Sequence, residues 1–173
     1  MKKKSLAVEL TIKRPPKILD GLEFIYQENF LVTENVDEEI YKFLYPVKIL
    51  SENLIIEGVS DNNLCLLDPV YLKYKDGKRK LLFDHLIHGY NGVFEITASE
   101  VGKNAILIEF TCPECNNKSF DLNLILIYEL WDDEVLEDDE LMENISDIFT
   151  SFILDGVCEN CDWHGNICSI ECA

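Results

Sequence analysis

Two closely spaced pairs of cysteines constrain the fold of this chain more than any other feature of its sequence. The pairs are Cys112-Pro-Glu-Cys115 and Cys158-Glu-Asn-Cys161. Two residues between cysteines let both sulfurs of a tight turn face one ion, and the backbone amides of the turn can donate to the thiolates. Four thiolates complete the tetrahedral coordination of Zn²⁺ and leave no open position. We therefore predict a structural zinc site formed by Cys112, Cys115, Cys158 and Cys161.

The segments on either side of each cysteine pair are strand candidates. Residues 104–112 and 120–130 alternate in polarity around the first pair, and residues 148–156 and 163–170 flank the second. Two cysteine turns, each between two strands, resemble the zinc ribbon. The resemblance covers residues 104–170 at most and implies a closed zinc site formed from two β-hairpins. The 42 residues between the pairs exceed the compact spacing of about 15–20, and we expect the acidic segment 132–147 to be an insertion.

Further side chains near the second pair leave the ligand set open. His164 follows Cys161 by three residues and could replace a cysteine, and Cys168 and Cys172 are spaced so that they could also hold metal. The alternative is that Cys168 packs in the sheet and Cys172 lies at a frayed terminus. We expect Cys65 to be a buried core residue, because free cysteine packs well as a small hydrophobe.

The N-terminal residues and the cysteine usage favour a reducing compartment. Three lysines precede only Leu6, Ala7 and Val8 before Glu9 interrupts the apolar run. A secretory signal needs about 7–15 apolar residues and a membrane span about 20, so we expect neither. The odd total of seven cysteines also argues against a complete disulfide framework. We therefore expect a cytoplasmic protein whose cysteine pairs bind metal.

The charge of the chain is strongly acidic and unevenly distributed. It has 33 acidic and 15 basic residues, for a formal net charge of −18. From residue 119 to the last residue there are 15 acidic residues and neither lysine nor arginine. Free nucleic acid and anionic membranes are poor partners for such a surface, since both are bound through cations. A basic protein is the partner that this charge favours, and the alternative is that the charge serves only solubility.

The acidic run at residues 129–147 is the candidate docking surface. It has ten carboxylates and no cation, and it lacks the glycine-containing pattern of a calcium loop. Leu136, Leu141 and Met142 lie among the acids, which is typical of an interface with apolar anchors and charged surroundings. The alternative is a solvated helix face. We predict that seven residues contact the partner: Trp131, Asp132, Asp133, Glu137, Asp138, Asp139 and Glu140.

A basic hairpin is predicted over residues 70–83. Its two β-favouring runs flank Asp76-Gly77, a dipeptide that tolerates the positive φ of a tight turn. Five cations lie at or near its tip: Lys73, Lys75, Lys78, Arg79 and Lys80. These cations could bind an acidic ligand, remain solvated, or contact the acidic half of the same chain.

Asp84, His85 and His88 form the only compact acid–histidine cluster in the sequence. In a catalytic interpretation one histidine is a general base that Asp84 orients, and in a metal-binding one His85 and His88 share a helical face. In the alternative, Asp84 caps a turn and the imidazoles serve as hydrogen-bonding groups. No serine or cysteine nucleophile lies beside them in the sequence, and we expect no enzymatic activity.

The pattern as a whole predicts an α+β fold, mainly antiparallel β, with one or two short helices. Residues 5–12 alternate like a half-buried strand, residues 37–44 suit a short helix that Pro46 ends, and residues 93–97 suit a strand after the turn dipeptide Asn91-Gly92. We expect a β-rich lobe at residues 1–99 and a zinc-ribbon-like lobe with an acidic insertion at residues 100–173, or one continuous domain.

These features predict a zinc-binding, non-enzymatic interaction protein whose acidic surface binds and neutralises a basic protein. By size, charge and lack of a catalytic signature, the chain resembles bacterial immunity proteins, which neutralise a cognate toxin that is often a nuclease with a basic cleft. No motif carries this resemblance, so it assigns no residue roles. The alternative is a zinc-ribbon accessory module of a larger nucleic-acid or protein-processing complex, in which Lys78, Arg79 and Lys80 would contact nucleic acid.

Overall fold

Ten strands in the described part of the chain pair into one mixed sheet. The structure is a computed structural model, and it describes residues 2–27, 32–35, 40–50, 54–60, 65–94, 106–129 and 136–172. The strands are β1 (Phe24–Tyr26), β2 (Val32–Asn35), β3 (Ile40–Ile49), β4 (Ile55–Ser60), β5 (Leu66–Lys73), β6 (Arg79–Phe83), β7 (Leu107–Glu109), β8 (Phe120–Glu129), β9 (Ser151–Cys158) and β10 (His164–Glu171). The helices are α1 (Lys2–Lys13), α2 (Gly89–Val93) and α3 (Asp139–Glu143), with single 3₁₀ turns at Lys17–Leu19 and Ile145–Asp147.

The strand order brings early and late parts of the chain side by side. The main path is β1-β3-β8-β9-β10-β5-β4-β7, with β2 also paired to β3 and β6 to β5. Strand β10 runs parallel to β5, where Cys168 lies opposite Leu66, and the other pairings between described strands are antiparallel. The fold is therefore α+β with a mixed sheet, and strands from both sides of residue 100 are hydrogen-bonded neighbours within it.

One face of the central strands forms the apolar core. Strand β8 confirms the strand predicted over residues 120–130, because its alternate side chains are buried. These side chains are Phe120, Leu122, Leu124, Leu126 and Tyr128. Aromatic side chains extend this core: Phe83 stacks on Phe152 with ring centroids 4.4 Å apart, and the Tyr128 hydroxyl donates to the Ser146 carbonyl at 2.7 Å. The sheet is thus anchored by aromatic packing close to the segment that leads into β9.

The strand predicted at residues 5–12 is wrong, since these residues lie in helix α1. Ala7 and Thr11, four residues apart, are fully buried, whereas Leu6 and Ile12 are exposed. The Thr11 hydroxyl donates to the Ala7 carbonyl at 2.9 Å, and Lys13 pairs with Glu9 one turn away. The buried residues are therefore four positions apart, as in a helix. The larger apolar residues, whose alternation predicted a strand, do not define the buried face.

The helix predicted at residues 37–44 is also wrong where the structure describes it. Ile40–Ile49 form strand β3, which pairs with β8 on one edge and with β1 and β2 on the other. Phe43, Tyr45 and Val47 are fully buried at every second position. Pro46, predicted to end the helix, lies inside the strand, where its carbonyl accepts from the backbone of Gln27 at 3.1 Å. Pairing on both edges outweighs the local helix signal of the preceding acidic residues.

The hairpin predicted over residues 70–83 is confirmed by strands β5 and β6. Lys73 lies opposite Arg79, and Gly77 has the positive φ of 82° that the turn requires. The strand predicted from residue 93 is wrong at its start, because Val93 ends helix α2, and residues 95–97 lie outside the described residues. No helix in the described ranges is long and apolar enough to cross a membrane.

Candidate metal centre

The four predicted cysteine ligands converge on one point. Their sulfurs all lie within 4.8 Å of one another, with Cys112 Sγ 3.5 Å from Cys161 Sγ and Cys115 Sγ 3.5 Å from Cys158 Sγ. All four are free thiols. Tetrahedral Zn²⁺ with bonds of about 2.3 Å separates its sulfur ligands by about 3.8 Å, close to these values. The donor set and its spacing therefore fit a divalent zinc ion without rearrangement of the backbone.

The first cysteine pair is held by a closed backbone turn between β7 and β8. The Asn116 N–H donates to the Cys112 carbonyl at 2.9 Å, and the Cys112 N–H donates to the Asn117 carbonyl at 2.7 Å. Asn116 adopts a left-handed φ of 57°, which asparagine tolerates better than most residues. This turn places Cys112 and Cys115 on the same side of the backbone.

The second cysteine pair lies in the connection of the β9–β10 hairpin. The Cys158 N–H donates to the Trp163 carbonyl at 2.9 Å and closes the connection. The Glu159 N–H reaches across to the Ser119 carbonyl at 3.2 Å. Because Ser119 directly precedes β8, this bond ties the two cysteine turns together.

Amide donors around Cys158 favour its charged form. The Asn160 backbone N–H lies 3.4 Å and the Asn117 Nδ2 lies 3.6 Å from its sulfur. Burial opposes the thiolate, but these hydrogen bonds and the neighbouring Cys115 thiol lower the pKa of Cys158 to about 6. At Cys161 the Trp163 N–H favours the thiolate, but burial and the neighbouring thiols raise its pKa to about 12. A divalent cation would offset the effects of burial and of the neighbouring sulfurs, and would favour the thiolate form of all four cysteines.

Three aromatic residues close in sequence to the cysteine turns pack against one another. The ring centroids of Phe110, Phe120 and Trp163 lie between 5.3 and 5.9 Å apart. Gly165 makes room for the indole, because a Cβ there would lie 2.9 Å from Cζ2 of Trp163. These ring contacts join the segments before Cys112, after Cys115 and after Cys161.

The other predicted ligand candidates lie outside the cluster of four sulfurs. His164 is exposed, and its Nδ1 lies 3.4 Å from the Asp162 carbonyl. Cys168 is fully buried in the sheet, as one alternative predicted. The prediction of a frayed Cys172 is wrong, because its side chain is fully buried and its backbone N–H donates to the Thr150 carbonyl at 2.8 Å. Cys65 is only partly buried, with its sulfur 3.9 Å from Asn166 Oδ1.

Only the second cysteine pair lies on a β-hairpin in the part of the chain that the structure describes. Strand β7 pairs with β4, whereas β8 pairs with β3 and β9, so the strands around the first pair do not pair with each other. The 42 residues between the pairs include β8, α3 and nearly all of β9. The long spacing therefore contains two central strands of the sheet as well as the acidic segment predicted to be an insertion. Comparison of the chain with protein-family models, curated proteins and solved structures found no match.

The predicted partner-binding residues divide into two groups. Trp131, Asp132 and Asp133 lie outside the described residues. The other four, at positions 137–140, are exposed where the chain enters α3. The Asp138 carboxylate also accepts from the backbone N–H groups of Glu140 and Leu141 at 2.9 and 3.1 Å. Asp138 therefore has a structural role as the helix cap that its neighbours lack.

A cavity of about 630 Å³ lies beside α3. Asp138, Glu140 and Asp147 contribute carboxylates to its lining, and Leu141 and Phe149 contribute apolar surface. Lys17 also lines it and pairs with Asp147 at 3.1 Å. The cavity is therefore lined by both apolar and charged residues, next to the predicted docking surface.

Three cations of the basic hairpin are paired with carboxylates, and a fourth donates to a backbone carbonyl. Lys73 lies 3.2 Å from Glu57 and 2.7 Å from Glu109. Arg79 lies 2.5 Å from Glu57, which is almost completely buried. Lys78 pairs with Asp76 at 2.9 Å, and Lys80 donates to the carbonyl of Asp20. These partners all precede residue 119. Among the described residues, these cations therefore do not pair with the acidic part of the chain that follows residue 118.

The acid–histidine cluster is arranged differently from the prediction. His85 Nδ1 contacts Asp68 Oδ2, and the His85 backbone N–H donates to the same oxygen at 3.1 Å. The carboxylate that orients His85 is therefore Asp68, which the sequence analysis missed. Asp84 caps the turn, as the alternative predicted, with Oδ1 accepting from the Leu86 N–H at 2.9 Å.

The His88 side chain is hydrogen-bonded within the same turn. Its Nδ1 accepts from the Asp84 backbone N–H at 3.1 Å, and its ring stacks on Phe83 with centroids 6.1 Å apart. Burial lowers the pKa of His88, and the negative charge of Asp84 only partly offsets that effect. His88 is thus held as a neutral hydrogen-bonding side chain at ordinary pH.

Proposed function

We propose that this chain is a zinc-stabilised, non-enzymatic cytoplasmic interaction protein that neutralises a basic protein partner, in the manner of an immunity protein and its toxin. The observation that carries the proposal is the run of exposed carboxylates at positions 137–140, within a C-terminal part of the chain that has no lysine or arginine. Opposite charge on a partner would steer association and hold the two surfaces in register.

Local cations leave this surface negative. Arg14 donates to the Glu143 carbonyl at 3.3 Å, and Lys17 pairs with Asp147, so both act at the end of α3 away from its first turn. Asp139 and Glu140 form no ion pair with the cations of the described residues. The first turn of α3 therefore presents carboxylates that a basic surface can pair with.

The cavity beside α3 supplies the apolar component of such an interface. Leu141, Phe149 and Glu140 line it together with Lys17, whose ammonium pairs with Asp147. A long cationic side chain of the partner could bury its methylene groups there and pair with Glu140. Buried anchors surrounded by charged residues account for most of the binding energy in many interfaces.

The zinc ion contributes to this function by stabilising the fold. The four cysteines lie at the end of the β8–β9 pair opposite to the connection that carries α3. When bound, the ion would link the two cysteine turns and oppose separation of these strands. No contact between zinc and the partner is needed.

The alternative function as a nucleic-acid accessory module requires free cations on the hairpin. Of its three candidates, Lys78 and Arg79 have carboxylate partners within the chain, and Lys80 donates to a backbone carbonyl. The pair between Arg79 and the buried Glu57 opposes contact with phosphate, whereas Lys78 and Asp76 are both exposed and can separate at little cost.

The proposal is tested by calorimetry, which measures binding between this chain and the basic protein encoded by a neighbouring reading frame. We expect tight binding at low salt and strong weakening at about 0.5 M salt, where the screening length is only about 4 Å. Charge reversal by Asp139→Lys with Glu140→Lys should weaken binding by at least tenfold, because it replaces two attractions by repulsions. Asp138 is left unchanged because it caps α3.

The matched control is Glu23→Lys with Glu171→Lys, which makes the same change in net charge at exposed positions outside α3. It should retain most of the binding at low salt. Equal losses in both double variants would indicate a bulk charge effect without a defined surface. Unchanged affinity in the α3 variant would contradict the proposal.

A further inference from the structure

A second group of metal-ligating side chains lies apart from the cysteine cluster. Asp68, Asp84 and His85 each offer a ligand atom, and these atoms lie within 4.8 Å of one another. Asp68 is 5% exposed and His85 is 8% exposed. We propose that these three residues form a second site, which binds a divalent first-row transition-metal ion with part of its coordination open.

The register of the basic hairpin brings the three residues together. Val70 on β5 lies opposite Phe83 on β6. Continuing that antiparallel register by two residues places Asp68 opposite His85, just beyond the end of the paired region. Asp84 belongs to the turn that follows β6, and its carbonyl accepts from the backbone N–H groups of Ile87 and His88 at 3.0 and 2.9 Å.

The charges of the group are unbalanced without a cation. Among the described residues, neither Asp68 nor Asp84 forms an ion pair with a lysine or an arginine. The ion-pair partner of Asp68 is His85. Burial penalises a carboxylate that lacks a compensating charge, and Asp68 is buried whereas Asp84 is half-buried. A divalent ion bound by the three residues would compensate the charge of both carboxylates.

Hydrogen bonds orient the donors and leave capacity for an ion. Asp68 Oδ2 accepts from the His85 backbone and contacts His85 Nδ1, and Asp84 Oδ1 accepts from the Leu86 backbone. These contacts leave the second oxygen of each carboxylate and Nε2 of His85 for ligand bonds. The Nδ1 atom of His88 is used by the Asp84 N–H. Such orientation by neighbouring backbone groups is a feature of metal sites in proteins.

The donor types distinguish this site from the cysteine cluster. Two carboxylates and one imidazole suit Mn²⁺, Fe²⁺ or Zn²⁺, whereas four thiolates select Zn²⁺ over Mn²⁺. Three protein ligands leave coordination positions for water or for a ligand of a partner. Mn²⁺ is therefore the probe that reports the second site while zinc remains at the four cysteines.

The experiment titrates Mn²⁺ into zinc-loaded protein and follows the loss of the free-ion signal by electron paramagnetic resonance. We expect one saturable Mn²⁺ per chain and a Kd at least tenfold weaker in Asp84→Asn, which keeps a side-chain oxygen for the Leu86 N–H. The matched control is Asp76→Asn, because Asp76 Oδ1 caps Lys78 in the same way at 3.0 Å. The control should bind as the unmodified protein does.

A second comparison separates the site from the acidic surface. Asp139→Asn with Glu140→Gln should leave the saturable Mn²⁺ in place, and bound Mn²⁺ should raise the Tm of the unmodified protein but not that of Asp84→Asn. Absence of saturable binding, equal affinity in Asp84→Asn, or loss of binding in the α3 variant would each overturn the proposal. Circular dichroism and zinc content verify that each variant is folded.

Discussion

Phe120, the first residue of β8, lies directly opposite Cys158, the last residue of β9. This pairing places the turn that precedes β8 beside the turn that follows β9, although the two cysteine pairs are 42 residues apart in sequence. The antiparallel ladder is therefore what converts two local motifs into one set of four ligands. The stability of the ladder and the occupancy of the metal site should depend on each other.

Removal of the metal should destabilise the protein strongly. Zinc bound by four thiolates contributes its binding free energy to folding, so a strong chelator should lower the Tm by about 10 °C or more, equivalent to at least about 3 kcal/mol. The double variant Cys112→Ser with Cys158→Ser should do the same without chelator. Differential scanning calorimetry with elemental analysis measures both effects.

The matched control for zinc removal is Cys65→Ser, because Cys65 is a partly buried thiol outside the cluster. This variant should retain one zinc ion per chain and its sensitivity to chelator. Protein prepared in zinc-containing medium that shows no bound metal would contradict the assignment of the site.

The cap of α3 should be sensitive to the side chain at position 138. Asp138→Ala should lower the free energy of unfolding by about 1 kcal/mol, because the N–H groups of Glu140 and Leu141 lose their acceptor. Asp138→Asn keeps an acceptor oxygen and should cost much less. Urea denaturation compares the three proteins, and an equal cost in both variants would show that the carboxylate acts through its charge.

A methyl group at Gly156 should disrupt the packing of Ile167 and Phe120 against β9. Its Cβ would lie 2.5 Å from Cδ1 of Ile167 and 3.3 Å from Cδ1 of Phe120. Gly156→Ala should therefore cost about 1–3 kcal/mol by overpacking. The control Val157→Thr changes an exposed neighbour, keeps β-branching and should stay within about 0.5 kcal/mol. Unchanged stability in Gly156→Ala would contradict this packing.

The ion pairs of Glu109 should make stability depend on acidic pH. Hydrogen bonds from Lys118 and then Lys73 lower the pKa of Glu109 from 4.5 to about 2. Since the folded-state pKa lies below the unfolded one, the stabilisation is present above about pH 4.5 and is lost as the pH falls toward 2. The difference in urea midpoint between unmodified protein and Glu109→Gln should therefore shrink between about pH 7 and about pH 3.

A double-mutant comparison identifies the source of that pH dependence. If Lys118 is the main partner, Glu109→Gln should have a smaller effect in a Lys118→Met background. An effect of Glu109→Gln that is the same at both pH values would argue against the ion pairs as its cause.

Local motifs allowed the ligand set and the strands around it to be predicted, but not how those strands pair across the sheet. Cys112, Cys115, Cys158 and Cys161 were identified from spacing, because two intervening residues have the same consequence for sulfur geometry in many folds. The hairpin at residues 70–83 was predicted for a similar reason, since Asp76-Gly77 specifies a tight turn. Its register shifts between Tyr71 and Val70, so the turn alone did not predict that Asp68 lies opposite His85.

Alternation and charge misled the prediction where packing decided the outcome. Leu6 and Ile12 alternate with polar residues, yet the helix buries Ala7 and Thr11 instead. The acids at positions 37–39 resemble a helix start, yet residues from Ile40 onward form a strand between two neighbours. In both segments the choice depends on which distant surface is available, and a local pattern does not contain that information.

The sequence by itself determined the four thiol ligands, the turn of the basic hairpin and the concentration of negative charge after residue 118, because each depends on residue type and short spacing. Only the tertiary structure decided that the two cysteine turns meet at one end of β8 and β9, that Asp68 joins His85, and that hairpin cations are paired with Glu57 and Glu109. These relationships join residues far apart in the chain, and strand register and side-chain packing across the sheet set them.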